Sequence, residues 1–187
     1  MTGSAKRDLA LYLLSKMDAA DRIQQALAAL GASGAEMKAA SSRVEAVGLM
    51  DLVRTIDRFE RALGPAEETS PLADGGRRYC YRLGPWPLLW LAVDCDPQSV
   101  VSGLCFVRPP NGPPPRLEPW ECLDPEAGAF GSVRAVIDEW HPYKSLLLER
   151  QAALTLLRFE YGLLQSADDV DAAAAAALER DGWAPRR

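Results

Sequence analysis

Apolar residues fall at helical spacing from Ala5 to about Leu63 and bunch into short runs rich in Val, Trp, Tyr, Phe and Cys from Arg78 to about Leu123. From Phe130 onward they return to helical spacing. Helix, then sheet, then helix with almost no mixing predicts an α+β fold, not alternating βαβ units. The expected architecture is a set of N-terminal helices, a small antiparallel sheet of three to four strands, and C-terminal helices packed on it. The same pattern divides the chain into a helical segment over 1–64, suited to dimerisation or a coiled coil, and an α+β globular domain over 78–187.

Within the first segment, Leu9, Leu13, Ile23, Leu27, Leu30, Met37 and Val44 share one seven-residue register. Lys16, Ala20, Gly34, Ser41 and Gly48 dilute it, so it does not specify one long coiled coil. Gly31, Ser33 and Gly34 mark a break, and the spacing predicts helices over about 5–30, 34–47 and 49–63. Leu49, Leu52, Val53, Ile56, Phe59 and Leu63 give the third a clear apolar face. Gly64-Pro65 ends it, and the polar stretch 65–76 reads as a linker.

Strands follow at 78–83, 87–95 and 100–107, the middle one apolar on both faces and therefore central. Connections this short permit only an antiparallel meander. Six prolines between Arg108 and Pro119 exclude that stretch from a sheet and predict an extended, polyproline-like surface loop. A short fourth strand is expected at 120–122. Helices are then expected at 133–140, 143–165 and from Ser166–Asp168 through the alanine block 172–177.

Composition changes this picture little: 187 residues, 48% hydrophobic and 25% charged, describe an ordinary globular chain. The net charge of −5 gives no overall attraction to nucleic acid. Cys80, Cys95, Cys105 and Cys122 all lie in the strand-rich middle without a C-x-x-C pair. They are expected to be reduced, buried thiols acting as small hydrophobes in an intracellular compartment, cytoplasmic or nuclear. No leader, membrane span, metal or cofactor is expected.

Leu30-Gly31-Ala32-Ser33, followed by Met37, Val44, Glu45, Gly48, Leu49 and Met50, resembles the helix-turn-helix stretch of winged-helix regulators over about 21 residues. The resemblance implies a DNA-reading helix whose cationic contacts would be Lys38 and Arg43. The layout of helical N-terminus, small sheet, proline-rich loop, Leu123-Asp124-Pro125 and amphipathic helix is similar to RWD-type domains of adaptor complexes, and implies an assembly role.

His141, the only histidine, suits a general base by its intrinsic pKa, but reads first as a helix-junction residue because spacing assigns it no nucleophile or carboxylate. Asp94 and Asp96 beside Pro97 read as turn formers. Neither a P-loop nor a G-x-S-x-G elbow is present. Trp86, flanked by Gly84, Pro85 and Pro87, is expected to project from a turn as an interface anchor. Arg77, Arg78 and Arg82 beside Tyr79 and Tyr81 suit either an anion or a charged strand edge.

The expected function is therefore non-enzymatic: a protein–protein interaction or assembly subunit, meeting a partner or a second copy through Leu13, Ile23, Leu27, Leu30, Trp86 and Pro113. One alternative is a DNA-binding regulator using residues 23–50. Another is a small-molecule-binding α+β domain with its pocket between the sheet and the C-terminal helices.

Overall fold

A computed structural model describes residues 2–46, 54–140 and 142–181. It shows an α+β protein with two four-stranded antiparallel sheets, each in sequential strand order. The chain divides into two compact units, Met1–Gly112 and Pro113–Arg187. The expected boundary at 64–78 lies inside the first of them. Leu49, Leu52 and Val53 of the expected third helix, and His141, lie outside the described residues.

The first unit begins with α1 (Thr2–Leu14), α2 (Ala20–Ala29) and α3 (Gly34–Ala46). α1 is its hydrophobic centre, with Ala10 through Leu14 and Met17 all buried. α3 lies parallel beside it: Arg7 meets Glu36 at 3.4 Å and Lys16 meets Glu45 at 2.8 Å, both pairs 29 residues apart. Arg43 grips Asp8 through Nε and Nη2 at 2.9 and 2.7 Å. Exposed pairs of this kind set register more than they stabilise.

The 30–33 turn follows from its residues. Gly31 takes φ +56°, its N–H donates to Ala28 and the Ala32 N–H donates to Leu27, the paired bonds that close a helix around a C′ glycine. Ser33 then caps α3. Its Oγ accepts the Glu36 N–H while a Glu36 carboxylate oxygen accepts the Ser33 N–H.

α4 (Ile56–Leu63) buries Ile56, Phe59 and Leu63. The first sheet comprises β1 (Glu68–Pro71), β2 (Arg77–Arg82), β3 (Trp90–Cys95) and β4 (Val101–Val107). The three expected strands form, and β3 is central and buried at Leu91, Ala92, Val93 and Cys95. β1 arises in the stretch read as a linker; four residues with a glutamate and a proline suit an edge strand. Tyr81, Leu91 and Phe106 align on one face, where the Phe59 ring of α4 sits 5.6 Å from Tyr81.

The second unit corrects the reading of the C-terminal third. The stretches expected as helices at 133–140 and 143–165 are strands: β5 (Ser132–Trp140), β6 (Tyr143–Arg150), β7 (Ala153–Glu160) and β8 (Leu163–Val170). Two-residue connections join them. Gln151 and Ala152 take φ +47° and +68°, Tyr161 and Gly162 +51° and +75°, the backbone that two-residue hairpins need. Only Gly162 announces such a turn in the sequence, and the leucine-rich strands use good helix formers.

Those strands are apolar on both faces because the sheet is covered on both. Leu146, Leu148, Leu157, Phe159 and Leu164 pack with Cys122 and Ala127, beside Leu117 and Phe130, under a 3-10 helix (Asp124–Ala129). On the other face Leu147 and Leu156 pack with Ile137 and with Ala175 of α5 (Ala172–Asp181). α5 is the helix expected from the alanine block, though it starts later, with Asp171 accepting the Ala174 N–H at 2.7 Å. Trp120–Cys122 is not a strand of the first sheet. It runs beside β8, where the Trp120 N–H donates to Leu164 and the Leu164 N–H donates to Cys122, both at 2.9 Å.

Two outcomes follow. A Cβ at Gly131 would overlap the Glu149 carbonyl oxygen, whereas one at Gly128 would meet open space. Gly131→Ala is therefore expected to cost about 1–3 kcal/mol and Gly128→Ala almost nothing, read as urea midpoints. Acid behaviour gives the second. The Arg43 guanidinium holds the Asp8 carboxyl below its ordinary 3.8, and the Ser33 N–H and hydroxyl and the Lys16 ammonium hold Glu36 and Glu45 below 4.5. Depressed folded-state values mean stability that is complete above those ordinary values and lost as pH falls through the depressed ones. The helical circular-dichroism signal should fall in that acid window, and the fall should shrink in a chain carrying Asp8→Asn and Glu45→Gln.

Candidate functional site

Of the residues expected to meet a partner, only Pro113 is exposed. Leu13 and Leu27 are buried within the first unit, and Ile23 and Leu30 are half-buried. Trp86 corrects its expectation. It is 2% exposed, with its ring 4.7 Å from Phe106, because the Gly-Pro-Trp-Pro turn folds the indole back onto the sheet instead of aiming it at solvent. Pro113 is exposed and opens the second unit. Lys38 and Arg43 are both exposed on α3, the latter bound to Asp8.

Two charged groups of the first sheet are paired within it. Arg78 is bidentate on Asp94, with both bonds at 2.7 Å, and that carboxylate pushes the guanidinium pKa further up. Asp94 is thus a strand residue with a partner. Asp96 is the turn former expected of it, with Oδ1 accepting the N–H groups of Gln98 and Val100. The Arg82 guanidinium lies 5.8 Å from the Trp90 ring centroid. In the second unit Arg116 reaches Glu118 at 2.7 Å and Glu121 at 3.7 Å.

The cysteines are free thiols, buried at 80, 95 and 122 and half-buried at 105. Burial pushes the Cys80 thiol up, and burial beside Asp94 and Asp96 pushes Cys95 up to about 11. Thiols held protonated in this way are weak nucleophiles at neutral pH. Among the described residues, no three His, Cys, Asp or Glu side chains are grouped to hold a metal ion, and no helix is long and apolar enough to cross a membrane.

The feature that sequence reasoning missed is on β5. Val133 and Val136 are 44% and 53% exposed, yet they pair directly with Leu148 and Leu146, which are buried beneath the 3-10 helix cover. An apolar face that is covered over β6 thus runs into the open on β5. Two register shifts in the β5–β6 pairing explain how β5 serves both sides. They let Ala135 and Ile137 pack toward α5, with Arg134 reaching Glu179 at 2.7 Å, while the two valines stay on the opposite face. β5 is the outer strand of its sheet. Alternation in Ser132–Ile137 would have been the signal, but the bulges break its period of two.

No protein-family model matches the chain, and comparison with curated proteins and with solved structures yields no match.

Thiol titration tests this account of the cysteines. Cys80 and Cys95 should resist a disulfide reagent at neutral pH in the folded chain, and all four cysteines should react promptly in urea. A folded-state pKa raised above the ordinary 9.0 also means stability that is complete below pH 9 and declines as pH rises toward about 11, which alkaline unfolding would record.

Proposed function

We propose that this chain is a non-enzymatic protein–protein interaction or assembly subunit whose contact surface includes the open face of β5. The observation that carries the reading is the pair Val133 and Val136, exposed at the outer strand of a sheet whose other central apolar positions are covered. Apolar surface continuous with a core and left open at an edge suits a partner's apolar side chains. The occupant is a separate protein that seats such side chains on the two valines. The N-terminal helices contribute through their half-buried Ile23 and Leu30, since Leu13 and Leu27 are already taken up by the chain's own core.

A second reading, DNA binding through residues 23–50, is favoured by one observation: residues 20–46 do form two helices joined by a tight, glycine-closed turn. Against it stand the acidic balance of the chain and the engagement of Arg43 by Asp8, since affinity for the duplex rests on cations available to phosphates. Residues 47–50 of that stretch lie outside the described residues.

The first reading is tested with the full chain and a double variant, Val133→Lys with Val136→Lys, at positions exposed enough to leave the fold intact by circular dichroism. Partners captured by the wild-type chain, once purified, should bind it and lose about tenfold or more in affinity for the variant, a change of roughly 1.4 kcal/mol. A wild-type chain that captures nothing, or a variant that binds as well as wild type, overturns the reading; self-association seen by light scattering and lost in the variant would replace the separate protein with a second copy. A mobility shift with steep salt dependence that disappears on Lys38→Ala with Arg43→Ala would establish the DNA reading instead.

A further inference from the structure

The stretch of chain that ends the first unit carries chemistry of its own. Residues 108–115 run Arg-Pro-Pro-Asn-Gly-Pro-Pro-Pro, and the units divide between Gly112 and Pro113. Asn111 is the only asparagine in the chain. It is exposed at the third position of a tight turn in which the Gly112 N–H donates to the Pro109 carbonyl at 2.8 Å. Proline at the second position and glycine at the fourth are what such a turn favours. The residue after Asn111 has no side chain to shield its backbone nitrogen, and Asn111 itself is exposed.

We propose that Asn111–Gly112 is a self-modification site, at which the chain converts its own asparagine into aspartyl and isoaspartyl forms. The Gly112 nitrogen gives up its proton and attacks Cγ of Asn111. The new N–Cγ bond forms as the Cγ–Nδ2 bond breaks, and ammonia leaves carrying the proton. Water then opens the five-membered imide at either carbonyl, giving aspartate or isoaspartate. The sum is amide plus water to carboxylate plus ammonium, with no oxidant or reductant. The turn acts as a brake, because the nitrogen that must attack is the one donating to Pro109, so the rate follows opening of the turn. The product sets a negative charge between Arg108 and Arg116 in sequence and, in the isoaspartyl form, adds a methylene to the backbone there. This inference stands apart from the partner surface on β5.

The site is tested by ageing the full, folded chain in mildly alkaline buffer and following intact mass and peptide maps. Amide-to-acid conversion should accumulate at Asn111. It should run several-fold faster in the urea-unfolded chain, where the turn is gone, and disappear in Asn111→Gln, whose ring closure would need six members. Asp74-Gly75 and Asp181-Gly182 can also isomerise, but without the mass gain, so the mass reports Asn111. A folded chain that keeps its amide over the period in which the unfolded chain converts fully would overturn the proposal, as would a mass gain that persists in the Asn111→Gln variant.

Discussion

Leu146, Leu147 and Leu148 stand in consecutive positions of one strand, so they point to alternate faces of a sheet, and all three are buried. Each such side chain contributes about 1.5–3 kcal/mol only if its own face is dry. A four-stranded meander alone cannot provide that, because both of its faces would stay wet. The second unit therefore needs two covers, and its sequence supplies them from opposite ends. The segment through Leu117, Cys122, Ala127 and Phe130 precedes the sheet, and α5 with Ala175 and Leu178 follows it. Much else in this unit follows from that demand. The Trp120–Cys122 stretch is held against β8, Asp171 caps α5, and the β5 bulges turn Ala135 and Ile137 toward α5.

The same demand explains where the sequence could be read and where it could not. The first sheet was legible because its breaks are chemical: Gly84-Pro85 and Asp96-Pro97 stop strands in any context, and β-branched and aromatic residues fill the runs between them. The α2–α3 turn was legible for the same reason, through Gly31 and Ser33. In the second unit the period of two is hidden by burial on both faces, and Gln151-Ala152 adopts a hairpin backbone with no residue that advertises it. Leucine runs that satisfy two faces of a strand are indistinguishable by periodicity from a broadly buried helix, and length favoured the helix. Tertiary covering, absent from any local window, decided the outcome.

Site residues divide along similar lines. Apolar character at helical spacing, as in Leu13 and Leu27, fits a helix core as well as a partner surface, and the core is where both lie. The prolines that suggest a projecting Trp86 also produce a turn tight enough to lay the ring on Phe106. The exposed valines of β5 carry no local signal, because their exposure depends on the segment being a strand, on its outermost place and on a cover that stops short of them. Exposure at an edge is a property of the assembled sheet.

Register-setting ion pairs and guarded thiols are two consequences of how the folded chain allocates its polar groups. Arg78 with Asp94, Arg116 with Glu118 and Glu121, and Arg43 with Asp8 consume charge in register-setting pairs, while Cys80 and Cys95 are kept protonated by burial. On the second sheet exposed apolar area lies on the face of β5 opposite α5, beyond the leucines that the 3-10 helix covers. The outer strand keeps its backbone ladder bonded to β6 while two valines extend the leucine face beyond its cover. Such a surface is stable without a partner, since the valines are only half exposed, yet further burial of them releases the same free energy that drives the core. The constraint that forces the second unit to wrap its leucines from both sides is thus the one that leaves two valines of β5 open where the wrapping stops.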